Sequence, residues 1–168
     1  FTELEGELEA ELKLRQKQYK YYLNKLLSFE NDGGGGLVEY KTLGEIALKI
    51  TSGGTPLTSK KEYYDGNIPW LNTKEVKDCR IYATEKTITN LGLENSSAKW
   101  IEKNSVIVAM YGATAGRVGI NKIPLTTNQA CCNITMDDTK ANYNYVYYVL
   151  LNSYEKLFLW YLVGHKKI

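Results

Sequence analysis

"AMYGATAGRVGI", residues 109–120, sets three glycines and an arginine directly behind a run of β-branched residues, and its reading decides the fold. A dinucleotide-binding loop places its glycines between a strand and a helix. Here Gly112, Gly116 and Gly119 are spaced G-x-x-x-G-x-x-G between two strand-like runs, SVIVAMYG (105–112) and RVGINK (117–122). The stretch therefore reads as strand, turn, strand. Its small residues permit tight packing or the close approach of another backbone.

Working outward, the chain from about Leu37 alternates short helical and strand-like pieces, the pattern of a mixed α+β domain (α/β in the broad sense). TLGEIALKI (42–50) reads as a short amphipathic helix, TSGGTP (51–56) as a turn, and NIPWLNTKEV (67–76) as a strand running into a turn or short helix. EKTITN (85–90) follows as a strand, LENSSAKWI (93–101) as a short helix, LTTNQACCNITM (125–136) as one strand, and residues 142–163 as a closing, buried helix.

The first 29 residues differ in kind. Stepping alternately by four and three gives Phe1, Glu5, Leu8, Leu12, Arg15, Tyr19, Tyr22, Leu26 and Phe29, of which seven of nine are apolar or aromatic, a coiled-coil seam. Glutamates 3, 5, 7, 9 and 11 crowd the start, while Lys13, Arg15, Lys17, Lys20 and Lys25 occupy the rest. An antiparallel neighbour of the same kind sets acid against base, so head-to-tail self-pairing is natural; the alternative is a seam packed on the chain's own globular part. NDGGGG (31–36) then reads as a helix stop and linker, natural or engineered, with neither phosphate-loop pattern writable. The expected division is a spacer and dimerisation helix over 1–30, a linker over 31–37 and a domain over 38–168.

The net charge of +2 hides an asymmetry: residues 1–32 carry −2 and residues 33–168 carry +4. A mildly basic domain permits a polyanion partner and is also common on plain solvated surfaces. Three cysteines, Cys79, Cys131 and Cys132, form no C-x-x-C pair, which fits a reduced, cytoplasmic setting. One histidine, His165, leaves no His-paired nucleophile or multi-His metal site. The most apolar stretch, 143–163, is broken by Asn144, Asn152, Ser153, Glu155 and Lys156, so no membrane span is expected. Phe1 in place of a Met suggests a fragment or processed chain.

No N-P-P-Y or D-P-P-Y loop for base methylation is present, the prolines being Pro56, Pro69 and Pro124. Asp137–Asp138 in MDDTK reads as a turn with a cap, not a catalytic carboxylate pair.

LGEIALKITSGGTP, YYDGNIPWLNTKEV, YGATAGRVGI and TTNQACCNI, with ELEAELKLRQKQYKYYLNKLLSF ahead of them, resemble in order and spacing the specificity subunits of type I restriction–modification systems. The resemblance implies one target-recognition domain from about Val38, preceded by a conserved spacer helix. It implies double-stranded DNA as partner and no catalysis by the chain itself. Methyltransferase subunits, which use S-adenosylmethionine, and through them restriction subunits would assemble on it; the chain would need no cofactor of its own. Family members carry two recognition domains and two antiparallel helices. One domain and one helix here imply a half-subunit or rearranged form that pairs through Leu8, Leu12, Tyr19, Tyr22 and Leu26. Two other classes stay open: the recognition domain of a fused restriction–methylation enzyme, and an oligomerisation scaffold that binds no DNA.

DNA contact needs cations for phosphates, small residues where backbones meet, and amides or guanidinium groups for base edges. Ser52, Gly53, Gly54 and Thr55, then Lys60, Lys61 and Tyr63, supply the first two, or else form a structural turn with solvated lysines. Asn72, Thr73, Lys74, Lys77 and Arg80 are the leading base-reading candidates, as polar residues following the buried-looking Ile68 and Trp70. Thr114 and Arg117 touch phosphates or support their turn. Asn128 and Gln129 bond adenine or satisfy buried main-chain groups.

Overall fold

The computed structural model describes residues 2–27 and 39–155. The chain divides into two compact units, Phe1–Tyr40 and Lys41–Ile168.

The first unit contains helix α1, Thr2–Leu27. Strong helix formers run almost throughout it, Glu3 and Glu5 sit at the positive end of the helix dipole and Lys25 at the negative end. Arg15 reaches back one turn to Glu11 at 3.3 Å. No residue of α1 is buried. Leu8, Leu12, Tyr19, Tyr22 and Leu26 are all exposed, between 50% and 73%.

The second unit is built on two sheets. The strands are β1 (Ala47–Ser52), β2 (Tyr64–Leu71), β3 (Cys79–Ile81), β4 (Lys86–Ile88), β5 (Val106–Ala109), β6 (Val118–Asn121), β7 (Thr126–Thr127) and β8 (Cys131–Met136). Helices α2 (Leu43–Ile46), α3 (Asn90–Glu94) and α4 (Tyr143–Asn152) complete it. One sheet has the order β1-β8-β5-β6-β3, antiparallel except for the β3/β6 pair; the other has the order β4-β2-β7, with β2/β7 parallel.

The period of two in the central strands explains the layering. Val106 packs with Val118, Ile120 and Ile134 against Val146, Tyr147 and Leu150 of α4. Its neighbour Ile107, with Ala109 and Cys131, faces the other way and packs with Leu71, Val76, Ile81, Ile101 and Leu125. A third cluster, Ile68, Trp70, Ile88 and Ala98, lies within the small sheet. Pro69 in the middle strand of that sheet gives the ladder no N–H, yet its carbonyl accepts the Thr126 hydroxyl at 2.9 Å.

Four expectations change. TLGEIALKI is helical for only one turn: Thr42 and Glu45 form a capping box, and the chain then becomes β1, where Ile50 and Thr51 pair with Ile134 and Asn133. LTTNQACCNITM is two strands in two sheets, because Asn128–Ala130 turn the chain between β7 and β8. The short helix after β4 is 90–94, started by the Thr89 hydroxyl, which accepts from the Gly92 N–H; residues 96–101 are irregular apart from one bridge, Ile101 to Leu125. β3 within KDCRI was not foreseen. The closing helix is seen over Tyr143–Asn152, and its continuation from 156 lies outside the described residues.

Candidate functional site

The junction between the two sheets is made by Gly53 and Gly54. A Cβ on Gly53 would lie 2.0 Å from the Thr127 carbonyl oxygen, and one on Gly54 2.4 Å from the Ala98 nitrogen. The Gly54 N–H donates to the Thr127 carbonyl at 2.9 Å, and the Trp70 indole N–H donates to the Gly54 carbonyl at 2.9 Å. This close approach is to the chain's own backbone. Gly53 and Gly54 are buried, which fits the structural-turn reading of TSGGTP.

Beyond this junction lies an open cleft of about 470 Å³. Thr55 and Thr58 line it from the segment after β1, Tyr64 and Trp70 from β2, Asn72 from just past β2, and Lys86 from β4. Asn128 and Gln129, from the turn between β7 and β8, close it. Thus Thr55, Asn72, Asn128 and Gln129, expected from three separate segments, meet in one place. Trp70 forms the buried floor and holds Tyr64 edge-on at 6.1 Å. Burial pushes the Tyr64 hydroxyl's pKa up, so it stays a neutral phenol that donates to the Pro56 carbonyl.

The polar residues divide into those engaged within the chain and those left available. The Asn72 side-chain oxygen accepts the Lys74 N–H at 3.2 Å, capping a 3₁₀ turn over Thr73–Glu75, while the Glu75 carboxylate accepts the Asn72 N–H at 2.9 Å and the Glu85 N–H at 2.8 Å. The Thr55 hydroxyl donates to the Gln129 side-chain oxygen. Thr73 and Asn128 are buried against each other: the Thr73 hydroxyl donates at 3.1 Å, and the Asn128 amide donates back at 3.0 Å. Asn128 also accepts the Cys131 thiol at 3.3 Å, and burial lifts that thiol's pKa to about 12. Thr73 and Asn128 therefore brace each other within the cleft wall.

Several candidates lie apart. The Thr114 hydroxyl donates to the Thr73 carbonyl at 2.8 Å, tying the 110–117 loop to the turn beside the cleft. Arg117 pairs with Asp78 and lies 4.5 Å over the Tyr154 ring, and Asp78 raises the guanidinium's pKa further. Both support the loop. Gly112 and Gly116 adopt φ of 86° and 82°, which identifies the glycines of the opening motif as turn formers. Arg80 points to Asn144 of α4 at 3.4 Å. Lys60 pairs with Glu62 at 3.5 Å, and Lys74 with Glu85 at 2.6 Å, each pair on the surface; the Lys74–Glu85 contact raises the pKa of the lysine and lowers that of the glutamate. Ser52, Lys61 and Lys77 are exposed, and Tyr63 is half-buried beneath α3, where a Cβ on Gly92 would meet its carbonyl at 2.4 Å.

Sequence reasoning missed Thr58, Tyr64, Lys86 and the organising carboxylates of Asp78, Glu75 and Glu85. Lys86 sits in the strand-like EKTITN, but only pairing of β4 on β2, with Trp70 opposite Lys86, brings it to the cleft. Asp78 at φ 55° is the nearest to a readable signal, since an Asp within VKDCR suits a left-handed turn.

A family described as "Type I restriction modification DNA specificity domain" matches residues 36–168. The chain belongs to this family. The specificity domain is 41% identical over 133 residues to the EcoR124I/EcoR124II specificity subunit of Escherichia coli, covering 77% of this chain and 32% of that protein. It is 36% identical over 112 residues to the MjaIX specificity subunit of Methanocaldococcus jannaschii, covering 65% of this chain and 24% of the other. The chain thus spans about a third or less of the length of these relatives. In fold it resembles the HsdS subunit from Thermoanaerobacter tengcongensis (TM-score 0.63, 16% identity, 90% of this chain and 37% of that one). It resembles equally the S subunit from M. genitalium (TM-score 0.63, 14% identity, 90% and 38%). Among the described residues no helix is long and apolar enough to cross a membrane.

Proposed function

We propose that residues 38–168 read duplex DNA as one target-recognition domain of a type I restriction–modification specificity subunit, and that residues 1–30 act as its spacer helix across a linker at 31–37. The observation that carries this reading is the cleft, where amides and a lysine from three segments converge in a domain of the specificity family. Rigidly held amides at the end of strands suit base edges, and the exposed Lys60, Lys61 and Lys77 suit phosphates. The chain reads and does not react. Methyltransferase subunits carrying S-adenosylmethionine, and restriction subunits through them, perform chemistry at the sites it selects, in the cytoplasm.

The exposed seam of α1 supports pairing with a second such helix, antiparallel so that the glutamate-rich start meets the lysine-rich end. A twofold pair presents two identical recognition faces and favours an inverted repeat. Titration of a labelled duplex at two salt concentrations tests the DNA reading: binding is expected to weaken steeply as salt rises. A chain that pairs by analytical ultracentrifugation yet shows no duplex affinity at low salt is a scaffold instead.

A further inference from the structure

The cleft does not present its amides neutrally. Asn72 and Gln129 each have one acceptor and one donor group, and in each the oxygen is already engaged by the protein, by the Lys74 N–H and the Thr55 hydroxyl respectively. Their amide nitrogens have no partner among the described residues, nor has the Lys86 ammonium beside them. Asn128, which could have restored an acceptor, has its oxygen occupied by Thr73 and Cys131. Whatever enters therefore meets two amide donors held from behind and, beside them, a cation. An amide that reads adenine accepts from N6 while donating to N7; with one lone pair of its oxygen already engaged, each of these amides is a weaker acceptor for N6, while both of its N–H donors stay available. Guanine offers N7 and O6, two acceptors side by side, and is matched by donors alone.

We propose that this cleft is the specificity-determining site for a guanine, read through the amide nitrogens of Gln129 and Asn72 on its N7 and O6, with Thr55 as the positioning residue that keeps Gln129 a donor. The inference rests on the DNA reading above. A phosphate would also satisfy these donors, and the test below separates the two.

The test uses the full chain and a pool of randomised duplexes, followed by substitution of each guanine in the selected duplex by 7-deazaguanine, which lacks the N7 acceptor, or by inosine, which keeps both N7 and O6. One guanine is expected at which 7-deazaguanine weakens binding about tenfold while inosine does not. Gln129→Glu and Asn72→Asp keep the engaged oxygens and turn the free donor into an acceptor. Each is expected to erase that 7-deazaguanine penalty and shift the selected base away from guanine. Thr55→Val frees the Gln129 amide to rotate and is expected to let adenine compete at the same position. Circular dichroism melts confirm that each variant folds; should Asn72→Asp melt early, Gln129→Glu on the exposed turn gives the same readout. Weaker binding by the same factor for every sequence in these variants means a phosphate site and overturns the proposal. Selection of duplexes with no guanine sensitive to 7-deazaguanine overturns it while leaving the DNA reading intact. Enrichment of no duplex overturns both.

Discussion

Gly53 and Gly54, behind β1, and Gly112 and Gly116, behind β5, look alike on the page, each pair following a strand and preceding a polar residue. Gly53 and Gly54 have no room for a side chain, since the backbones of Thr127 and of Ser97–Ala98 press against them. A Cβ on Gly112 would meet nothing within 4 Å, and it and Gly116 are instead required by backbone angles that L side chains rarely adopt. The first pair packs the junction behind the cleft and is buried. The second pair shapes a loop whose tip, Tyr111–Ala113, is exposed, and whose legs are held by Thr114 on Thr73 and by Asp78 on Arg117 and Val118. A glycine motif states that something approaches or something bends, and only the long-range partner decides which.

Four substitutions or conditions sharpen that contrast, from the largest effect to the smallest. Gly53→Ala forces a methyl group into the Thr127 carbonyl, and the chain is expected to lose roughly 3 kcal/mol or more in urea unfolding. If it melts like the wild type, the junction is looser than described. Asp78→Ala removes two hydrogen bonds at the base of the second loop, one of them to the Val118 N–H at 3.0 Å. It is expected to cost about 2 kcal/mol, with Asp78→Asn, which suits φ 55° and can still accept the Val118 N–H, recovering part of that; equal losses for the two variants would point to the ion pair with Arg117 as the whole cause.

Cys131 lies on the cleft side of the contrast and gives it a pH dependence. Its folded pKa of about 12 exceeds the ordinary 9.0, so its contribution is intact below pH 9 and is lost as the pH climbs from 9 towards 12. Wild-type stability is expected to fall more steeply than that of Cys131→Ala over that range, by at most about 1.4 kcal/mol per pH unit. Parallel curves would mean that the thiol is reached by solvent. Gly112→Ala should cost only about 1 kcal/mol, because the strain is local and space is free, and Gly112→Asn less. A cost for Gly112→Ala equal to that of Gly53→Ala would erase the distinction.

Much of the fold was legible because it follows local rules. β-branched runs marked β5 and β6, alternation marked β8, the glycine spacing marked a turn between β5 and β6, and the four-three stepping marked α1. What misled was competition between local and distant forces. Leu43–Ile46 has a helix start, but pairing with β8 takes over from Ala47 onward. Residues 125–136 alternate like one strand, yet the turn at Asn128 sends the two halves to different sheets. In the cleft, Thr55, Asn72, Asn128 and Gln129 were recognisable by residue type. Which of their atoms remain available was not, since the deciding partners lie 74 positions away for Thr55 with Gln129 and 55 for Thr73 with Asn128. Lys86 was hidden for the same reason.

The central claim is that this cleft chooses the DNA sequence. Its most direct test is methylome sequencing of cells that carry the chain with its methyltransferase subunits, compared with cells carrying the Asn72→Asp, Gln129→Glu double variant. The account expects modification to continue, at a motif changed at one position; modification of the same genomic sites by both chains would contradict it.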